Sequence, residues 1–167
     1  MHKIPGKPNR RAHHALGNGK NYMRKGTLLN GSLTALIGDL GHSDKIMIVD
    51  AGWPIPKDLR YDICLTHGIP RLTEVFSVIA EELSIERVIV DSEMQNHGPE
   101  VHAEVQRIIA ATERAQGEKI VIDHEPHATF KEHARSAKGI IRTGECIPYC
   151  NLVIVAGLAF KRWSQTL

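Results

Sequence analysis

Hydrophobic and polar positions follow two periods that alternate along the chain. Segments with apolar residues at spacings of three and four are separated by short apolar runs that end in a polar residue. The predicted helices cover residues 30–40, 72–83, 99–117 and 126–137, and the predicted strands cover residues 45–50, 61–65, 87–91, 119–123, 139–143 and 152–156. This alternation predicts a single three-layer α/β/α domain around a central, largely parallel or mixed sheet.

Several helix ends carry their own local signals. Asn30 or Ser32 can cap the first helix, and Gly41 stops it. Pro99 suits the first turn of the third helix, which runs to Gly117.

Polar side chains follow three of the predicted strands. In open α/β sheets, ligands bind in the crevice beyond the carboxyl ends of the strands. The three polar ends are Asp50; Asp123 followed by His124 and His127; and Arg142 followed by Glu145 and Tyr149. We expect a small-molecule site among these strand ends.

Common catalytic motifs are missing from the sequence. No glycine-rich dinucleotide or phosphate loop follows a strand, and no G-x-S-x-G places a serine on an elbow. His124 and His127 are three residues apart, but Pro126 between them breaks the single helical face that a zinc protease needs. We therefore expect no metal and no cofactor, which leaves acid/base chemistry by histidine.

Each remaining candidate has a structural and a functional interpretation. His42 follows a helix end, where an imidazole can serve as a surface cap or as a proton-transfer group near neutral pH. Asp50 can cap a turn or accept hydrogen bonds from ligand hydroxyls. His127 and Lys131 are four apart on a predicted helix, so they share one face that is either solvated or part of a site. Tyr149 and Asn151 can offer polar tips to one ligand.

Charge is unevenly distributed, which changes the first impression of a basic protein. The net charge of +2 includes five basic and no acidic side chains in residues 1–22, so residues 23–167 carry 16 basic and 19 acidic side chains. Residues 1–22 lack hydrophobic periodicity, and we expect a disordered basic extension there, followed by one domain over residues 23–167. Nucleic acid is therefore not an expected partner.

The expected location is the cytoplasm. No apolar stretch approaches the roughly 18 residues of a membrane span, so no membrane association is expected. The three cysteines are an odd number without a C-x-x-C pair, which favours free thiols in a reducing compartment.

Ordered motifs from Met23 to Phe160 resemble the D-ribose pyranase family, within the ribose pyranase and fucose mutarotase superfamily. The motifs are MRKGTLLN at residues 23–30, LGHSD at 40–44, DAGWPIP at 50–56, IRTGECIPYCN at 141–151 and AGLAF at 156–160.

The resemblance implies an isomerase that interconverts the pyranose and furanose forms of D-ribose and supplies a ribokinase. It implies that His42 is the proton donor and that the substrate contacts are Asp50, His127, Lys131, Tyr149, Cys150 and Asn151, with Cys150 acting through its backbone. It also implies a ring-like homo-oligomer, an octamer or decamer, with sites between subunits.

Two alternatives remain open at this stage. A fucose-type mutarotase would share the reaction class, and a non-catalytic sugar-binding accessory of ribose uptake would share only the ligand. Trp53 departs from the aliphatic residue expected in the DAGWPIP loop, and it can stack on a sugar or cover a subunit contact.

Overall fold

A computed structural model describes residues 26–158 as a six-stranded sheet flanked by helices. The helices are α1 Gly31–Gly38, α2 Leu72–Glu82, α3 Met94–His97, α4 Pro99–Gln116 and α5 His127–Phe130. The strands are β1 Lys45–Val49, β2 Arg60–Asp62, β3 Ile85–Asp91, β4 Val121–Glu125, β5 Ala137–Arg142 and β6 Leu152–Ala156. Short 3-10 turns cover Lys57–Leu59 and Lys131–Arg135.

The sheet is mixed, with strand order β2-β5-β1-β6-β3-β4. β6 lies antiparallel between β1 and β3, whereas the other neighbouring strands pair in parallel. Because β6 runs the opposite way, its first residues meet the last residues of β1 and β3 at one edge of the sheet. We call this the carboxyl edge and the opposite one the amino edge. The predicted fold class is confirmed.

Both faces of the sheet are buried, and alternate strand residues supply the two cores. In β1, Ile46 and Ile48 face the larger cluster under α1, α2 and α4, while Met47 and Val49 face the smaller one. Strands buried on both sides read as continuous apolar runs, which explains the strand pattern of the sequence. The smaller cluster is covered by Trp53 and Phe130 from short, irregular segments.

The predicted N-cap of α1 and both predicted ends of α4 are confirmed, whereas α1 ends at Gly38, before the predicted stop at Gly41. The Asn30 Oδ1 accepts a hydrogen bond from the Leu33 N–H at 3.0 Å, capping α1. Pro99 opens α4, and Gly117 ends it in the left-handed conformation at a φ of 78°.

The predicted helix over residues 126–137 is wrong as one continuous element. The α-helix ends at Phe130, and Lys131–Arg135 forms a tighter 3-10 turn. Phe130, at the end of α5, lies in the smaller core, and in the tighter turn that follows His133 Nε2 lies 2.9 Å from Glu125 Oε2. Lys131 is the C-cap of the shortened helix, where its backbone N–H donates to the His127 carbonyl, and its side chain is exposed.

Two smaller differences concern β2 and α3. The predicted strand 61–65 stops at Asp62, because the Asp62 carboxylate accepts a hydrogen bond from the Cys64 N–H at 3.2 Å and turns the chain. The short helix α3 was not predicted. The expectation for residues 1–22 lies outside the described residues. Within residues 26–158, no helix is both long and apolar enough to cross a membrane.

Gly144 tests how closely the loop before β6 packs. A Cβ at this position would lie 2.5 Å from backbone atoms of Thr66 and Ile69, which cannot move as a side chain can. We expect Gly144→Ala to destabilise the fold by about 1–3 kcal/mol through overpacking. Thermal unfolding measures the loss.

Gly38→Ala is the matched control, since Gly38 lies in α1 with open space around its Cα. Removing a helical glycine should stabilise by about 0.5–1 kcal/mol. An equal loss in both variants would show that Gly144 is not specially confined.

Candidate active site

The carboxyl edge gathers polar side chains from four separate parts of the chain. Asp50 follows β1, Asp91 ends β3, His127 opens α5, and Tyr149 and Asn151 precede β6. They meet because β6 begins where β1 and β3 end. We call these five residues the carboxyl-edge cluster.

The buried amide of Asn151 joins two of the strand ends. Its Oδ1 accepts a hydrogen bond from the Asp50 N–H at 3.1 Å, and its Nδ2 donates to Asp91 Oδ2 at 3.2 Å. Asn151 is fully buried, so both hydrogen bonds are shielded from water. The amide therefore fixes the spacing between the ends of β1 and β3.

Asp91 also holds the imidazole of His127. His127 Nδ1 lies 2.5 Å from Asp91 Oδ2, and the His127 backbone N–H donates to Glu93 Oε2 at 3.0 Å. The Asp91 side chain is fully buried, whereas 22% of the His127 side chain is exposed. With Nδ1 held by the carboxylate, Nε2 is the ring nitrogen left for a ligand.

Aromatic rings enclose His127 on two sides. Trp53 meets the imidazole edge-on with ring centroids 5.3 Å apart, and Tyr149 does so at 4.9 Å. Trp53 also packs against Phe130, and it is only 7% exposed, so its indole supports the imidazole from within the smaller core. His97 lies 4.5 Å from Tyr149, again between ring centroids.

The loop carrying Tyr149 is braced by a buried carboxylate. Glu145 Oε1 accepts hydrogen bonds from the backbone N–H groups of Cys146 and Ile147, and the Glu145 carbonyl accepts one from the Ala51 N–H at 2.8 Å. Tyr149 adopts a φ of 66°, a left-handed conformation that is uncommon for a non-glycine residue. The bracing holds this strained residue beside the Asp50 loop.

Burial governs the ionisation of both acids in the cluster. It raises the pKa of Asp50, against hydrogen bonds from the Gly52 N–H and the Asn151 amide that favour the carboxylate. Burial likewise raises the pKa of Asp91, while the His127 contact opposes that shift. The cluster thus holds two carboxyl groups whose charges are only partly compensated, and a hydroxyl-rich ligand can donate hydrogen bonds to them.

Cys150 and Lys131 contribute less to this arrangement. The Cys150 thiol is buried close to Gly98, and burial raises its pKa to about 12, so the side chain stays a neutral thiol inside the core. Lys131 follows the end of α5 and is exposed. Their predicted substrate contacts stay predictions.

His42 lies at the amino edge, away from the cluster. Five residues of β1 separate the two edges, which corresponds to about 17 Å at a rise of about 3.3 Å per strand residue. There, His42 Nε2 lies 2.8 Å from Glu86 Oε2, and 47% of the His42 side chain is exposed. Glu86, rather than Asp44, is therefore the carboxylate beside this imidazole.

The other predicted strand ends are occupied by structural pairs. Asp123 pairs with Arg87, and Arg142 pairs with Asp62. His124 Nε2 lies 3.3 Å from the Nε2 of His102. Over residues 26–158, no group of three or more potential ligands is arranged to hold a metal ion.

Asp91, Glu93 and His97 were not predicted from the sequence as members of a site. Asp91 carried a usable signal, because it ends a buried strand just as Asp50 does. Glu93 and His97 carried none, since their places depend on the unpredicted turn of α3.

The fold is that of an α/β protein whose polar cluster lies at the carboxyl edge of its sheet, where open α/β sheets commonly bind small molecules. Residues 23–159 match the model of the RbsD / FucU transport protein family. The chain therefore belongs to the RbsD / FucU family.

Curated relatives and solved structures share most of this chain. D-ribose pyranases from Aliivibrio fischeri and Edwardsiella ictaluri are 43% and 40% identical over 139 residues, covering 83% of this chain and 100% of theirs. The structure of Bacillus subtilis RbsD complexed with D-ribose matches with a TM-score of 0.73 and 35% identity, covering 81% of this chain and 98% of that one. Fucose mutarotase from Streptococcus pneumoniae, at 18% identity and a TM-score of 0.63 over 77% of this chain and 93% of that one, shares the fold.

Asn151→Asp tests the link between the strand ends. The new carboxyl would face Asp91 at the position now taken by the Nδ2 donor, 3.2 Å from Asp91 Oδ2. We expect a loss of about 1–3 kcal/mol of stability at pH 8. Facing another acid raises the pKa of the new carboxyl above its unfolded value, so the loss should shrink as the pH falls and the group becomes protonated.

Thermal unfolding at pH 8 and pH 4.5 measures both effects. Asn96→Asp, at an exposed position in α3, is the control and should change little. A loss that is equal at the two pH values would contradict the charge explanation.

Proposed function

We propose that this protein is a D-ribose pyranase that interconverts the pyranose and furanose forms of D-ribose. The observation that carries the proposal is the match to an RbsD chain that holds D-ribose, over 98% of that chain's length. The carboxyl-edge cluster suits such a ligand, since carboxylates, an amide and an imidazole can pair with neighbouring sugar hydroxyls. The names of the curated relatives support the same reaction.

The reaction needs only proton transfers. Opening a hemiacetal ring removes a proton from the anomeric hydroxyl and adds one to the ring oxygen, and closure on another hydroxyl reverses these transfers. General acid/base catalysis contributes ~10²–10⁴-fold, which is enough for a ring that already opens slowly in water. In our proposal Asp50, His127 and Asn151 bind hydroxyls, the Cys150 backbone and Tyr149 close the site, and Lys131 lies at its margin.

His42 is the proposed proton donor to the ring oxygen, and it reaches the sugar from a neighbouring subunit. The strand length between the two edges is longer than a pentose, so one chain cannot place its own His42 on a sugar bound at its own cluster. His42 is instead half exposed beside an open groove of about 930 Å³ at the amino edge, where α2 and α4 end. A ring-like homo-oligomer, an octamer or decamer, that docks one subunit's amino edge on the next subunit's carboxyl edge would complete the site.

We also propose that this protein acts immediately before a ribokinase. D-ribose is the ligand, and a ribokinase that phosphorylates the furanose form consumes the product. The three cysteines are free in the structure, which fits a reducing cytoplasm.

His42→Gln tests the role of the proposed donor. Glutamine keeps a polar group but carries no titratable proton, so the rate of pyranose–furanose exchange should fall ~10²–10⁴-fold. Magnetisation-transfer NMR on D-ribose measures the exchange, and thermal unfolding checks the fold. His67→Gln, at an exposed histidine in the turn after β2 and outside the carboxyl-edge cluster, should keep the wild-type rate.

The same measurement separates the alternatives. A wild-type protein that leaves ribose exchange unchanged would point to a sugar-binding accessory. Faster exchange with L-fucose than with D-ribose would point to a mutarotase of the fucose type. Full activity of His42→Gln would remove the proposed donor.

Mixing two inactive variants tests the shared site. His42→Gln removes the proton donor that one subunit supplies to a site, and Asp50→Asn removes a hydroxyl-binding carboxylate that the other subunit supplies. In randomly mixed oligomers, about a quarter of sites would take an intact half from each of two subunits. Coexpression of the two variants should therefore restore about a quarter of the wild-type exchange rate.

Each variant alone, assembled to the same size, is the control. Native mass spectrometry confirms that the subunits have mixed. Mixed oligomers without recovered activity would show that the site is contained in one subunit.

A further inference from the structure

We propose that His127, held by Asp91, is a second catalytic group, which takes the proton from the anomeric hydroxyl while His42 acts on the ring oxygen. This inference rests on the proposed ribose pyranase function and deepens it. It changes His127 from a residue that only binds a hydroxyl into the base of the reaction.

Ring opening moves two protons, one away from O1 and one onto O5, and we assign one group to each transfer. As the C1–O5 bond breaks, the O1–H electron pair forms the C1=O1 bond, and the proton from O1 passes to His127 Nε2. The C1–O5 electron pair goes to O5, which takes a proton from His42. In furanose closure, O4 bonds to C1 and gives its proton to His42, and His127 returns its proton to O1. Both imidazoles finish in their starting state.

The geometry around His127 suits a base. Asp91 Oδ2 holds Nδ1 at 2.5 Å, which keeps the ring proton of the neutral imidazole on Nδ1 and the lone pair on Nε2. Asp91 cannot turn away easily, because the same oxygen accepts from the Asn151 amide and the side chain is fully buried. When Nε2 takes a proton, the adjacent carboxylate stabilises the imidazolium, as in triad-type catalysis.

The surroundings leave His127 as the best-placed base in the cluster. The titratable groups around it are Asp50, Asp91, Glu93 and Tyr149, and His97 packs against Tyr149. Asp91 and Glu93 are engaged with His127 itself, and the His97 Nδ1 lies 3.0 Å from the Glu93 carbonyl. Asp50 Oδ1 is already engaged by the Gly52 N–H at 2.9 Å. His127 alone combines partial exposure with a buried carboxylate partner.

His127→Gln separates a base from a hydroxyl-binding group. Glutamine can exchange hydrogen bonds with a hydroxyl but cannot carry the proton. We expect ribose exchange to fall ~10²–10⁴-fold. Affinity for D-ribose, which keeps the anomeric hydroxyl that His127 contacts, should stay within about threefold when measured by calorimetry.

Asp91→Asn tests the positioning role. An asparagine Oδ1 can accept from both His127 and Asn151, as Asp91 Oδ2 does, so the fold should hold while the negative charge is lost. Protonation of the base then becomes harder, and the acid limb of the pH–rate profile should move to lower pH, with a lower plateau rate. A merely structural role would leave the position of that limb unchanged.

His133→Gln is the matched control, since His133 also pairs with a carboxylate, Glu125, but lies outside the cluster. It should exchange ribose at the wild-type rate. The inference is overturned if His127→Gln retains exchange within threefold of wild type, or if its lost exchange is matched by lost affinity for D-ribose. A wild-type protein without exchange activity would instead overturn the proposed function itself.

Discussion

The hydrogen bonds of one buried amide tie together the parts of the protein that form its site. Asn151 accepts from the backbone after β1 and donates to the carboxylate that ends β3. Asp91 in turn holds His127, which begins the segment that closes the smaller core. An unsatisfied amide at this depth costs about 1–3 kcal/mol, so each member of this chain of contacts is held by the others.

This network depends on the direction of β6. A parallel sixth strand would bring its last residues, not Asn151, to the carboxyl edge. Lying antiparallel between β1 and β3, β6 instead delivers Tyr149, Cys150 and Asn151 there. The loop before β6 turns at Tyr149, which has a left-handed backbone conformation, and it is braced by the buried Glu145 carboxylate. The antiparallel direction of β6 therefore determines both the topology of the sheet and which side chains meet at the carboxyl edge.

Sequence patterns predicted the long elements well because each has a local cause. α4 begins at Pro99 and ends at Gly117, and the alternation of β1 reflects its two buried faces. Strand direction has no such local signature, so the sequence predicted a largely parallel or mixed sheet without placing β6. The single turn of α5 was equally hidden, because the core that receives Phe130 is built from distant parts of the chain.

The same distinction applies to the candidate site. Asp50, His127, Tyr149 and Asn151 were named from the sequence, and the structure brings them together. Asp91 was not named, although it ends a strand as Asp50 does, because its importance arises from His127, 36 residues further along the chain. A strand-end carboxylate becomes informative only when its partner is known.

The two imidazole–carboxylate pairs at opposite edges differ in a way that follows from their surroundings. The His127–Asp91 pair is anchored in the core, whereas the His42–Glu86 pair is exposed on both sides, at 47% and 38%. An exposed ion pair contributes little to the stability of one subunit, so Glu86 has little value as a stabilising contact in isolation. Burial at a subunit contact would strengthen that pairing, since water no longer screens it. In the proposed shared site, the rigid half binds and takes the anomeric proton. The exposed half becomes an ordered acid only when a second subunit covers it, which links ring opening to assembly.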